Sequence, residues 1–242
     1  MKIVAKTDVG MVRESNQDSY TTGELPNGVA WAVVCDGMGG AAGGNVASST
    51  AVKVIAEQIT SSFRPGMSAN SIKNMMVSAI NAANISVYDI RCSNSELYGM
   101  GTTVVCAIVM EHTAYIAHAG DSRAYIVSHG ALTQLTRDHS VVQELVEHGK
   151  ITALEAKRHP NKNIITRAVG VSREILVDFS EQEMKDGDVL LLCTDGLTNF
   201  VESDEMCDLT KDDMFYEFAE RLVDRANKNG GGDNVTVVAV TY

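Results

Sequence analysis

The chain has 242 residues, 45% of them hydrophobic and 21% charged, a composition ordinary for a globular domain that needs no disulfides or structural metal to hold a core. Its formal net charge of −11 argues against binding a nucleic-acid backbone, which requires a basic surface, and against standing attachment to an anionic membrane. The five cysteines are odd in number, contain no C-x-x-C pair and include three in apolar runs (Cys35, Cys106, Cys193), the usage of a reducing compartment. MKIVAKTDVG has no apolar signal region, and no apolar run nears the ~20 residues needed to span a bilayer. No linker or repeat divides the chain. The expectation is one domain, 1–242, a cytoplasmic monomer.

In chain order, residues 29–35 (VAWAVVC) read as a buried strand ending at Asp36. Residues 46–63 suit a helix. Residues 70–90 carry Ile72, Met75, Met76, Ala79, Ile80, Ala83 and Val87 at i, i+3, i+4 spacing, which predicts an amphipathic helix with its methionines in the core. The period then changes. Residues 102–110, 113–119, 123–128 and 131–136 are short, β-rich and closely spaced, which favours antiparallel neighbours, with His129-Gly130 as a hairpin turn. Residues 141–159 return to helical spacing, 176–180 and 188–193 to strands, 214–228 to a helix and 234–242 to a last strand. VAWAVVC and DVLLLC are apolar throughout, so both faces must be covered. That predicts sheet on sheet with helices outside, an α+β chain and not a βαβ repeat.

Four aspartates share one kind of position. Asp36, Asp121 and Asp195 follow strands, and Asp233 precedes one. Each has glycine beside it: Asp36-Gly37, Gly120-Asp121, Asp195-Gly196 and Gly232-Asp233. Any one of them is a turn residue first. Four at strand ends are different, because carboxylates gathered at one sheet edge repel unless one takes a proton or a cation joins them. Oxygen donors without an obligatory Cys or His select Mg²⁺ or Mn²⁺ over Zn²⁺, and two such ions can activate water and clamp a phosphoryl oxygen. Arg13, in R-E-S-N-Q-D at 13–18, offers the planar fork that matches phosphate. The six histidines have no zinc-spaced partners; His118 reads as a strand residue and His139 as the start of a loop.

Eight segments run in order through nearly the whole chain: R-E-S-N-Q-D at 13–18, V-C-D-G-M-G-G at 34–40, G-T-T at 101–103, A-G-D-S-R-A-Y at 119–125, L-T-R-D-H-S at 135–140, I-T-R-A-V-G at 165–170, C-T-D-G-L at 193–197 and G-G-D-N-V-T at 231–236. Together they resemble the metal-dependent Ser/Thr protein phosphatases of type 2C, the PPM family, in their compact bacterial form. The resemblance implies a four-layer αββα sandwich of two antiparallel sheets flanked by helices, and hydrolysis of phosphoserine and phosphothreonine in proteins. It implies two Mn²⁺ or Mg²⁺ ions bridged by Asp36, with the Gly37 carbonyl, Asp195 and Asp233 as further ligands. A weaker third ion would lie at Asp121 and Asp195. It places Asp18 on metal-held waters, Arg13 on the substrate phosphate and a flap over about 138–165, and makes a Ser/Thr kinase the natural partner. Two positions depart from the pattern. Met38 stands where some members carry a histidine general acid, which leaves water as the substitute proton donor, and Ala41 replaces a more polar or aromatic residue.

Two other readings compete. Gly37, Gly39 and Ala42 match G-x-G-x-x-A, a dinucleotide fingerprint, but Asp36 would repel a pyrophosphate and a second helix follows where a parallel strand is required. A catalytically dead binding module on the same fold would lack a metal aspartate, and all are present.

Overall fold

The computed structural model describes residues 1–210 and 214–242, with the side chains of Ala41 and Ala42 outside the described set. The elements run β1 (Lys2–Asp8), β2 (Asp18–Leu25), β3 (Val29–Met38), α1 (Gly40–Ser62), α2 (Ala69–Ser93), β4 (Gly101–Thr102), β5 (Val104–Met110), β6 (Thr113–Ala119), β7 (Arg123–Ser128), β8 (Ala131–Gln134), α3 (Val141–Glu147), α4 (Ala153–Ala156), β9 (Asp178–Glu183), β10 (Val189–Cys193), α5 (Asp195–Thr198), α6 (Ser203–Leu209), α7 (Phe218–Lys228) and β11 (Val235–Thr241). One sheet has the order β1-β11-β10-β7-β8, the other β2-β3-β5-β6-β9, with β4 paired to β3. Every pairing between these strands is antiparallel. This removes the dinucleotide reading, which needs a parallel βαβ unit.

The alternation of side chains along a strand decides the layers. From β3, Ala30, Ala32 and Val34 face inward and meet Val105, Ala107, Ile126, Leu190, Leu192, Val238 and Val240 between the two sheets. Trp31, Val33 and Cys35 of the same strand face outward onto Ala47, Ile55, Ile72, Met76 and Ile80 of α1 and α2. On the other side, Leu191, Cys193, Val237 and Ala239 face Leu197, Phe218, Leu222 and Val223 of α5 and α7. The result is the α-β-β-α stack. Fully burying one Leu, Ile or Met contributes roughly 1.5–3 kcal/mol, and twelve of the largest side chains, from Ile55 to Leu192, are essentially inaccessible. Three such cores can tolerate a site that opposes folding at one edge.

Several local expectations are met in detail. The strands 113–119 and 123–128 end where their pattern ends, Met75 and Met76 are core residues, and His129-Gly130 takes positive φ at both positions, 51° and 77°, the type I′ hairpin geometry. Others shift. The helix expected over 141–159 is two, because His148 and Gly149 end α3 and a Thr152–Glu155 capping box starts α4. The last helix begins at Phe218, after a 3₁₀ turn at Phe215–Glu217. β1 and β2 have no counterpart in the sequence reading; both are half-exposed and lack an apolar run.

Candidate active site

The strand ends converge on one edge of the sandwich, around a cleft of about 530 Å³ lined by Arg13, Asp36, Gly37, Asp121, Asp195 and Asp233 among others. Each predicted aspartate arrives from a different segment: Asp36 near the end of β3, Asp121 after β6, Asp195 at the first residue of α5 and Asp233 just before β11. Asp18 does not line the cleft. It opens β2 opposite Asp36 in the ladder, 7% exposed, beneath the cluster.

Backbone closeness builds this edge. A Cβ on Gly37 would sit 2.1 Å from the Gly44 carbonyl oxygen of α1, and one on Gly196 would sit 1.9 Å from the Asn234 oxygen. Only glycine lets β3 and α5 approach that near. Thr103 then grips Asp36: its N–H donates to the Asp36 carbonyl (2.9 Å), and its Oγ1 accepts from the Asp36 N–H (3.0 Å). Asn234 sews the loop that carries Arg13 onto the start of β11. Its side chain donates to the carbonyls of Val9 and Ser15 and accepts from the Gln17 N–H. Arg13 thereby reaches Asp233, Nη2 to Oδ2 at 2.8 Å. His139 clamps the residue before Asp121. Its N–H donates to the Gly120 carbonyl and its Nδ1 accepts from the Gly120 N–H, so Nε2 carries the proton toward Asp178 (3.1 Å).

Arg13 pairs with Asp233 at the rim, but burial and mutual repulsion dominate deeper in the cluster. Withdrawal from solvent, followed by repulsion from Asp18, Asp195, Asp121 and Asp233, raises Asp36 well above the usual carboxylate range. Burial and then Asp195 and Asp138 push Asp121 up to about 7, and burial and then Asp233 raise Asp195, which shares a hydrogen bond with Asp36. Asp18 also rises to about 7, chiefly by burial, although its Oδ2 accepts from Thr194 (2.8 Å) and Thr236 (2.7 Å). Asp18 Oδ1 and Asp195 Oδ1 are buried with no hydrogen-bond partner among the described residues. Buried carboxylate oxygens with nothing to accept from, in an all-oxygen donor set, fit a hard divalent cation.

A second group of donor side chains, His118, His139 and Asp178, has ligand atoms within 4.8 Å of one another. The two imidazoles are stacked, 4.7 Å between centroids and 4° between planes. Ring-nitrogen lone pairs lie in the ring plane, so near-parallel rings cannot aim at a common ion, and Arg167 already pairs with Asp178 at 2.6 Å. The group is a brace for the Gly120–Asp121 turn.

The sequence reading missed Thr194 and Thr236, which hold Asp18, and Asn163 and Ile165, which line the cleft. Thr194 and Thr236 each lie inside a quoted segment, beside or near an aspartate, and that adjacency was the available signal.

Comparison with known proteins places this edge in context. The Protein phosphatase 2C family profile matches residues 12–236. A serine/threonine phosphatase of Listeria welshimeri is 38% identical over 236 residues, covering 97% of this chain and 93% of the relative. The S. agalactiae serine/threonine phosphatase superposes with a TM-score of 0.93 at 32% identity, covering 100% of this chain and 99% of the other. The catalytic domain of the phosphatase PstP, solved with two manganese ions, superposes with a TM-score of 0.85 at 33% identity, covering 98% and 96%. Matched along its length by family, relatives and fold, and carrying a carboxylate cluster where its sheets end, the chain belongs to the protein phosphatase 2C family and is a metal-dependent protein serine/threonine phosphatase.

Proposed function

We propose that residues 1–242 form a single catalytic domain that removes phosphate from phosphoserine and phosphothreonine in proteins, using two Mn²⁺ or Mg²⁺ ions, with a weaker third. The observation that carries this reading is the convergence of four aspartates from four separated segments on one cleft beside an arginine. Asp36, the Gly37 carbonyl, Asp195 and Asp233, which line the same cleft, would hold the two principal ions. Asp121 with Asp195 would hold the third. The PstP relative, with its two manganese ions, supports the count of two. When bound, such ions neutralise the carboxylates, acidify water and polarise phosphoryl oxygens.

The chain's own residues do the rest. Arg13, at the rim and half-exposed, presents its fork to two phosphate oxygens and orients the ester. Asp233 keeps Arg13 extended over the cleft before substrate arrives. Asp18 Oδ1, with no hydrogen-bond partner among the described residues, accepts a hydrogen bond from an ordered water, while Thr194 and Thr236 fix the carboxyl group. Met38, on the cleft wall, has no proton to give, so the leaving hydroxyl takes its proton from water. The segment 138–165 forms the flap, and its residues Asn163 and Ile165 reach the cleft. No helix among the described residues is long and apolar enough to cross a membrane. The reading is completed by a cytoplasmic monomer that acts on phosphorylated proteins and opposes a Ser/Thr kinase.

The decisive experiment is hydrolysis of a phosphothreonine peptide with Mn²⁺, with chelator, and with Mn²⁺ restored. Turnover that requires the ion is expected. Full activity after thorough chelation would refute the metal mechanism, and no activity under any condition would refute the phosphatase assignment.

A further inference from the structure

Charge is distributed very unevenly along this chain. Residues 148–173 hold six of the 20 Lys and Arg residues and one of the 31 Asp and Glu residues, so this stretch is at +5 while the remainder stands at −16. Arg167 pairs with Asp178, and on the N-terminal side of the cleft residue Asn163 stand Lys157, Arg158 and Lys162, all exposed. Lys157 pairs with Glu202 at 2.5 Å, both side chains largely in solvent. Among the described residues, Arg158 and Lys162 have no carboxylate partner. A side chain held only by solvent is free to meet an incoming charge.

The backbone holds the end of this strip at the cleft. The Lys162 N–H donates to the His159 carbonyl and the Ile164 N–H to the Asn161 carbonyl, so 159–164 is a run of tight turns. The Ile164 carbonyl accepts from the Val141 N–H, and Ile165 bridges to Ser140. Lys162 therefore directly precedes Asn163, a residue of the cleft wall.

We infer that the strip Arg158–Lys162 docks acidic side chains that flank the phosphorylated residue of a protein substrate. This rests on the phosphatase reading above and specifies its substrate class. The occupant follows from charge complementarity. The rest of the molecule, at −16, repels an acidic segment, so a preference for one can arise only where positive charge is local and unpaired. An aryl phosphate has no flanking residues and so carries no acidic side chain for the strip to bind.

The test uses the full chain with Mn²⁺ and two phosphothreonine peptides that differ only in glutamates or glutamines flanking the phosphoresidue, with an aryl phosphate as control. Exposed ion pairs are individually weak, so two of them should favour the glutamate peptide by roughly 3- to 10-fold in kcat/KM. The effect should lie mainly in KM and fade as salt rises. The double variant Arg158→Ser/Lys162→Ser should lose the preference and hydrolyse the aryl phosphate at the parental rate, which also reports that it is folded. Equal or inverted rates for the two peptides on the parent chain would overturn the docking strip alone. So would an undiminished preference in the double variant. Failure to hydrolyse any of the three substrates would overturn the phosphatase reading itself.

Discussion

Replacing Asp36 by asparagine separates the function of the cluster from its cost to folding. Without metal, Asp36 is surrounded by Asp18, Asp195, Asp121 and Asp233, and its pKa is raised well above 3.8, first by withdrawal from solvent and then by these neighbours. A carboxyl group held neutral in the folded state binds a proton that the unfolded chain releases. Its contribution is therefore most favourable below the unfolded pKa and is lost as pH rises toward the folded one. Holding it neutral at pH 7.5 costs at most about 5 kcal/mol, the 3.7 units between pH 7.5 and 3.8 taken at ~1.36 kcal/mol each. At pH 5 the same ceiling is below about 2 kcal/mol. Asparagine is neutral at every pH and its amide can donate to Asp195 as the protonated acid does. In chelator at pH 7.5, Asp36→Asn should thus be more stable than the parent by roughly 2–4 kcal/mol, or about 5–15 °C in Tm for a chain of this size. The gap should narrow steadily toward pH 5. In saturating Mn²⁺ the order should reverse, because on the reading proposed above the variant loses a metal ligand, and turnover should vanish. Thermal melts of both proteins from pH 5 to 8, with chelator and with Mn²⁺, measure all of this. A chelated variant less stable than the parent at pH 7.5, or a gap independent of pH, would show that Asp36 is not held protonated by its neighbours.

Arg13→Ala should lower kcat/KM for a phosphopeptide by roughly 10- to 150-fold, the equivalent of one charge-assisted bidentate bond of about 1.5–3 kcal/mol, with Arg13→Lys in between. Its pair with Asp233 is substantially exposed, so the alanine variant should lose no more than about 1 kcal/mol of stability in a urea melt. Thorough chelation should abolish turnover of an aryl phosphate, and Mn²⁺ should restore it without refolding. Thr194→Val removes a donor to Asp18 and the acceptor of the Thr236 N–H; denaturant titration should show a loss of about 1–3 kcal/mol. Gly37→Ala forces a methyl group to 2.1 Å from the Gly44 oxygen; a loss of at least about 3 kcal/mol is expected, and an unchanged melting temperature would show that β3 and α1 can part without harm.

Much of this protein is readable without coordinates, for reasons that are local. Apolar runs such as VAWAVVC declare strands covered on both faces, and the stripe from Ile72 to Val87 declares the face of α2, because backbone period alone sets which side chains share a surface. The aspartates that line the cleft are legible because glycine beside a carboxylate at a strand end is itself a local pattern, and Arg13 because the segment around it belongs to a set of eight that recurs in one family. What the sequence could not supply depends on contacts between distant residues. β1 and β2 are half-exposed at sheet edges, and only pairing with β11 and β3 makes them strands. The resemblance sets Asp18 on metal-held waters, but only the ladder shows where it lies, opposite Asp36 and beneath the cleft, held by threonines 176 and 218 residues away. That Asp36, Asp121, Asp195 and Asp233 share one cleft is likewise a tertiary result. Strand ends lie at both edges of a sandwich, and the order in which the strands pair selects the edge where these four meet.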